Sequence, residues 1–183
     1  TDEVLMTVDA IYQRAHEAST TLALHEAHYL TWMLSEAGIF ECSEALLNRL
    51  MVMTTELGLS DLAFDISLDE ASVLTELGLY KESRSILDDL HKAAESQDDP
   101  VRLASVTLQQ AINDTRDDKV SHSRARKLAD KASNLIESVL GDDDLTKDGL
   151  GLAEMVIGTN ILVNGWREAV DQAIERLENA LNV

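Results

Sequence analysis

Apolar residues recur at steps of three and four through most of the chain, which is the spacing of one face of an α-helix. The first such stripe lies in residues 3–18. Glycines and other turn signals divide the rest into four pairs of helices, at 21–57, 62–97, 100–140 and 148–182. The first helices of these pairs are predicted at 21–37, 62–77, 100–114 and 148–163, and their partners at 41–57, 80–97, 119–140 and 166–182. The pattern predicts an all-α chain of about nine helices.

Several local signals mark the ends of these helices. Gly58 ends one helix, and Ser60 or Asp61 is placed to cap the next. Asp99 is a suitable N-cap, because Pro100 follows it at the first helical position, where a missing N–H costs nothing. Gly141 is expected to end the long helix of the third pair.

The helical pairs also resemble one another in sequence. Residues 34–50, LSEAGIFECSEALLNRL, and residues 74–90, LTELGLYKESRSILDDL, both place an aromatic residue and then a serine after a glycine. A small residue recurs along the chain at steps of 40, 42 and 44, at Ser43, Ser83, Ala125 and Ala169. Because a small side chain lets two helices approach closely, we expect it at the contact within each pair. The chain is therefore predicted to be a helical repeat, with an ordinary antiparallel bundle as the alternative.

Paired amphipathic helices with a glycine turn, a following aromatic and a small contact residue resemble tetratricopeptide repeats (TPR). The usual TPR period is about 34 residues, and steps of 40–44 look more like the longer-helix relatives. The resemblance implies a right-handed α-α superhelix of stacked antiparallel helical hairpins, forming a single domain over 1–183. The helix at 3–18 stands where the second helix of a preceding hairpin would lie. We therefore expect the chain to be part of a longer protein. The alternative is that the helix at 3–18 caps the array.

Charge narrows the classes of partner. The chain carries 34 acids and 15 bases, a net charge of −19, so direct nucleic-acid or anionic-membrane contact is disfavoured. Two explanations of the acidity stay open: solubility, for example in high salt, and attraction of a basic partner. No run of about 20 apolar residues predicts a membrane span, and a single cysteine, Cys42, fits a reducing, cytoplasmic compartment.

Motifs for catalysis or cofactors are weak. His25 and His28 are three residues apart, but no third metal ligand is evident nearby, so incidental histidines are the better interpretation. The acidic segment 141–149 lacks the glycine and glutamate positions of a calcium loop. The basic run 116–131 is interleaved with aspartates and has no aromatic residue for base stacking. We therefore expect no enzyme activity, no metal and no cofactor.

The TPR resemblance implies a concave groove, lined by the first helix of each hairpin, that binds a peptide or a partner helix. Counting back from each turn, the groove positions are His25, His28, Tyr29, Trp32 and Glu36, then Asp65, Asp69, Ser72 and Glu76, and then Thr107, Gln110 and Asp114. An aromatic patch beside an acidic wall suits a basic or amphipathic partner segment. Tyr29 and Trp32 are the leading candidates, and packing in the hairpin core is the alternative for both.

The leading functional hypothesis is a non-enzymatic protein- or peptide-binding scaffold or sensor domain. One alternative is the C-terminal regulatory domain of a transcription regulator, and another is a repeat-scaffold phosphatase. A third is a structural oligomerisation module, in which a homodimer would cover the apolar residues of the last predicted helix, Val170, Ile174, Leu177 and Leu181.

Overall fold

The computed structural model describes residues 2–18 and 21–139, with residues 174, 178 and 179. Its helices are α1 (Asp2–Ala18), α2 (Thr21–Glu36), α3 (Phe40–Glu56), α4 (Ser60–Glu76), α5 (Tyr80–Ser96), α6 (Pro100–Arg116) and α7 (His122–Val139). The all-α class is confirmed for these residues, which contain no strand. Each helix end lies within three residues of its predicted place. The predicted helices 148–163 and 166–182 fall outside the described residues, except for residues 174, 178 and 179, which are helical.

The connections between helices follow a regular 20-residue rhythm. Left-handed backbone occurs at Gly38, Gly58, Gly78 and Asp98, with φ angles of 72°, 66°, 77° and 53°. The helices α3, α4, α5 and α6 each have 17 residues, and three connecting residues separate each of these four helices from the helix before it. A hairpin of two such helices therefore repeats every 40 residues, which is the first step seen in the sequence.

The same hydrogen bonds close each of these short connections. The Gly58 N–H donates to the Thr55 carbonyl at 3.2 Å, and the Leu59 N–H donates to the Thr54 carbonyl at 2.9 Å. This pair of bonds is a Schellman motif, which satisfies the last carbonyls of a helix. Equivalent bonds form around residues 38, 78 and 98. One local device therefore ends α2, α3, α4 and α5.

The predicted caps are confirmed at one of the two helix starts. The Asp99 side chain accepts the Arg102 backbone N–H at 3.0 Å, with Pro100 at the first position of α6. At α4 the prediction is wrong, because Leu59 occupies the cap position and forms no side-chain cap bond. Residue 59 holds the place that Asp99 takes before α6, and a leucine there has no side-chain atom that can accept a backbone N–H.

The third hairpin has a longer connection. Residues 117–121 join α6 to α7 without a glycine, and the Asp117 side chain accepts the Lys119 backbone N–H at 3.1 Å. This connection has five residues where the earlier ones have three. The two additional residues account for the step of 42, rather than 40, between Ser83 and Ala125.

Small contact residues lie within the hairpins as predicted. Ser43 is fully buried and donates to the Thr31 carbonyl at 2.9 Å. Forty residues later, Ser83 is also fully buried and donates to the Ala71 carbonyl at 2.8 Å. Each serine reaches the backbone of the preceding helix, so that helix must lie very close. Ala125 in α7 is also fully buried.

The chain divides into two compact units, residues 1–86 and 87–183, and α5 begins in the first and continues into the second. The core of the first unit includes Leu24, Leu46, Leu47, Leu50 and Ile66. In the second unit, Ala104, Leu108, Ala132 and Ile136 pack between α6 and α7. A single domain over 1–183 stays a prediction. Within the described segments, every helix is too short or too polar to span a membrane.

Helix α1 packs against both α2 and α3. Arg49 on α3 forms an ion pair with Asp9 on α1, and its guanidinium lies 5.4 Å from the centre of the Tyr12 ring. Helix α1 therefore packs on the first hairpin, and its role as the second helix of a preceding hairpin stays a prediction.

Candidate functional site

Helix α2 is apolar on two opposite sides. Its buried side presents Leu24, Ala27 and Thr31 to the interior. The opposite side exposes four large apolar side chains, with exposed fractions of 68% for Leu22, 59% for Tyr29, 50% for Trp32 and 48% for Met33. A surface helix normally turns polar residues outward. We call this side, residues Leu22, His25, Glu26, Tyr29, Trp32, Met33 and Glu36, the α2 outer face.

Two aromatic rings lie together on the α2 outer face. The Tyr29 and Trp32 ring centres are 5.4 Å apart, and the ring planes are inclined by 30°. Both side chains are about half exposed, so neither is part of the buried core. Next to them is an open depression of about 440 Å³, lined by His25, Glu26, Tyr29, Leu30 and Met33. The predicted aromatic patch is therefore a surface feature.

A side-chain bond connects the predicted groove positions of α2 and α4. The His28 Nε2 donates to the Asp69 Oδ2 at 2.8 Å. His28 is largely buried, whereas the Asp69 side chain remains 43% exposed. Because His28 and Trp32 are four residues apart, they are neighbours on α2. The Asp69 carboxylate is therefore bonded to a helical neighbour of Trp32.

Negative charge predominates on α2 and α4, the helices that carry the predicted groove positions of the first two hairpins. Helix α2 carries two acids and helix α4 carries five, and neither contains a lysine or arginine. Glu36, Asp65 and Glu76 are exposed, and Ser72 is partly buried. Helices α2 and α4 therefore combine exposed aromatic groups with acidic residues, and their use as a binding groove stays a prediction.

The predicted positions on α6 have a different environment. Thr107 is fully buried and donates to the Leu103 carbonyl at 2.6 Å. Gln110 is 8% exposed and donates to the Asp88 carboxylate at 3.1 Å. Asp114 is 1% exposed and lies 2.9 Å from the Arg124 Nε. These three side chains are engaged inside the second unit, so the candidate surface consists of the α2 and α4 residues.

One carboxyl group in the first unit has a perturbed acidity. Burial raises the pKa of Glu70 on α4, and the nearby Glu44 carboxylate on α3 raises it further. Both burial and a neighbouring negative charge raise the pKa because they disfavour the ionised form of the carboxyl group. Glu70 is not among the predicted groove positions, and we assign it a part in stability.

Sequence reasoning did not include Leu22, Glu26, Leu30 and Met33 in the site. A signal for them is present in residues 22–34, LALHEAHYLTWML, which contain one charged acid or base. An α-helix with so few charged positions has no clear solvent side, and apolar residues must then be exposed or covered by a partner.

Metal ligands are not grouped in the part of the chain that the structure describes, where no three His, Cys, Asp or Glu side chains come together. Of the two histidines considered above, His28 is held by Asp69. Cys42 is buried.

Comparisons with protein-family models, with curated proteins and with solved structures found no match. The stacked, repeating helices are compatible with a TPR-like array, and the resemblance to TPR proteins rests on the residue pattern.

Proposed function

We propose that this chain is a non-enzymatic scaffold that binds a partner protein or peptide through the α2 outer face and the acids of α4. The proposal includes the TPR-like identity and the right-handed superhelix implied by the sequence resemblance. The single cysteine supports a cytoplasmic setting for this role. The observation that carries the proposal is the exposed Tyr29 and Trp32 pair.

The exposure of Tyr29 and Trp32 to water has a free-energy cost that a partner could remove. Tyr and Trp bury large areas at low entropic cost and dominate the energy of many protein interfaces. Leaving both half exposed on one helix, beside Met33 and Leu22, keeps apolar surface in contact with water. Large exposed apolar patches with polar borders mark interaction sites. The acids of α2 and α4 supply that border and favour a cationic partner.

The test begins with an unbiased choice of ligand. A displayed random-peptide library would be selected on the intact chain, and the selected peptide would be titrated by calorimetry. We expect Trp32→Ala to weaken its binding by about 30-fold, which corresponds to a hot-spot contribution of about 2 kcal/mol. Asp69→Lys should weaken it further, because it reverses one charge of the acidic border.

Val52→Ala provides the matched control. Val52 lies on α3 and is 55% exposed, so its truncation removes exposed apolar surface elsewhere. Peptide binding should be unchanged in this variant. Selected peptides that bind Trp32→Ala as tightly as Val52→Ala would rule out the α2 outer face as the binding surface.

The alternative functions have no specific observation in their favour. The oligomerisation hypothesis concerns the predicted helix 166–182, where Ile174 is 46% exposed and most other residues lie outside the described part. The phosphatase and transcription-regulator hypotheses stay predictions from the sequence.

A further inference from the structure

We infer that the α2 outer face selects arginine over lysine, so that the partner segment of the proposed scaffold presents an arginine to Tyr29 and Trp32. This inference rests on the proposed function and specifies the chemistry of the partner. It follows from the ring geometry, the carboxylates around the rings and the absence of cations on both helices.

The ring geometry favours a flat cation. The Tyr29 and Trp32 planes are inclined by only 30°, with centres 5.4 Å apart. Rings that enclose an ammonium group stand as separate walls around it, whereas these two rings pack against each other and leave no room for a cation between them. Their exposed fractions of 59% and 50% come from the outer surface of the pair, which is where a cation can stack. A guanidinium is planar and stacks on an aromatic face, while a lysine ammonium is a compact, strongly hydrated point charge.

Carboxylates are positioned around the same rings. Glu26 precedes Tyr29 by three residues, and Glu36 follows Trp32 by four, so both lie on the same side of α2 as the rings. The Asp69 carboxylate is bonded to His28, one helical turn before Trp32, and remains 43% exposed. A stacked guanidinium still directs its N–H donors outward in its plane, where carboxylates can accept them in pairs.

Charge also determines which occupant fits. A second copy of this chain using the same face would place the acids of α2 and α4 against themselves, because a twofold interface pairs identical surfaces. Neither helix has a lysine or arginine to compensate. Like charges placed together in an interface cost several kcal/mol. The occupant that complements this surface is a basic segment of another polypeptide.

The test compares hexa-arginine with hexa-lysine, two peptides with the same side-chain charge, titrated into the intact chain at physiological salt. Non-specific attraction to an acidic protein acts on both peptides, so the ratio of their dissociation constants is the informative quantity. We expect hexa-arginine to bind about three-fold to five-fold more tightly, as a cation–π contact at an exposed site provides.

Trp32→Leu and Asp69→Asn separate stacking from charge. Trp32→Leu retains an apolar side chain and removes the larger of the two π faces, so the arginine preference should fall most of the way to one. Asp69→Asn should weaken both peptides and preserve the preference, and Val52→Ala should change neither. Melting followed by circular dichroism checks that each variant is folded.

Two results would overturn the inference. The first is equal affinity of the two peptides for the unaltered chain. The second is an arginine preference that persists in Trp32→Leu. Either result leaves the titration of the library-selected peptide against Trp32→Ala as a separate test of the scaffold, so a failure of the arginine preference is distinguishable from a failure of the proposed function.

Discussion

Two serine hydroxyls, 40 residues apart, make the same contacts in successive hairpins. Ser43 donates to the carbonyl of Thr31 and shares a hydrogen bond with the Ser35 hydroxyl. Ser83 makes the equivalent contacts with the Ala71 carbonyl and the Thr75 hydroxyl. A serine at this position combines small size with a donor for a buried carbonyl. Because each hairpin needs such a residue at the same place, the 40-residue spacing of Ser43 and Ser83 indicates the repeat.

Removing one of these hydroxyls tests its contribution. We expect Ser83→Ala to lower the free energy of unfolding by about 1 kcal/mol, the usual net value of an intramolecular hydrogen bond. Ser83→Val should cost more, because extra volume at a close helix contact forces the backbone to shift. Urea denaturation measures both changes.

Ser85→Ala is the control for the Ser83 variants, because Ser85 lies two residues away on α5 and is exposed. Its unfolding midpoint should match that of the unaltered chain. If Ser83→Ala is as stable as Ser85→Ala, the buried hydroxyl network does not hold the second hairpin together.

Glu70 gives a prediction about pH. Its pKa in the folded chain is raised above the ordinary value of 4.5, through burial and then through Glu44. The unfolded chain therefore loses this proton at lower pH than the folded chain does. Below 4.5 the group has no effect, and as the pH rises toward the folded pKa, this group makes the fold progressively less stable.

Glu70→Gln should remove the loss of stability that the Glu70 carboxylate causes as the pH rises. Because Glu70 is partly exposed, solvent screening limits the gain at pH 7 to roughly a few tenths of a kcal/mol. The gain should disappear near pH 4, where the glutamate is protonated in both states. Urea denaturation at both pH values, with the exposed Glu56→Gln on α3 as control, measures it. A stability of Glu70→Gln below that of the unaltered chain at pH 7 would contradict the assignment.

At the scale of the elements, the 20-residue rhythm arises from one type of helix end. Each short connection needs a residue in the left-handed region, and glycine supplies it at 38, 58 and 78. The fourth connection uses Asp98 with a φ of 53°. A non-glycine residue is strained in this conformation, and a negatively charged side chain next to a helix C-terminus is also unfavourable. The fourth connection is therefore the least favourable of the series.

The substitution Asp98→Gly should stabilise the chain by about 0.5 kcal/mol, the strain removed less the greater backbone entropy of glycine. The opposite kind of change, Gly58→Ala, places a side chain at a left-handed position and should destabilise the chain by about 1 kcal/mol. An added Cβ at Gly58 has no heavy atom within 4 Å, so the cost comes from the backbone alone. Thermal unfolding reports both changes, and a destabilised Asp98→Gly would show that the aspartate has another role.

At the scale of the whole molecule, features set by nearby residues were predictable from the sequence, and features set by distant contacts were not. Turn glycines and the small residues Ser43 and Ser83 located the helices, because each acts between helices that are consecutive in the chain. The burial of Gln110 was not predictable, since it depends on Asp88, 22 residues away. The surface position of Trp32 was also open, because α2 is apolar on both sides and periodicity does not show which side faces inward.

The net charge of −19 gives a prediction for the intact chain. Mutual repulsion among the acids opposes the compact state, and salt screens it over a distance of about 10 Å at 0.1 M. The melting temperature should therefore rise between roughly 0.02 M and 0.5 M sodium chloride. A melting temperature that falls over this range would mean that attractive ion pairs, such as Arg124 with Asp114, outweigh the repulsion.

The central claim is that Trp32 on the α2 outer face contacts the partner. The most direct measurement is the indole N–H resonance of Trp32, identified by its loss in Trp32→Phe, during titration with the library-selected peptide. The claim predicts that this resonance shifts progressively and reaches saturation together with the calorimetric binding curve. A Trp32 resonance that stays in place while the peptide binds would contradict it.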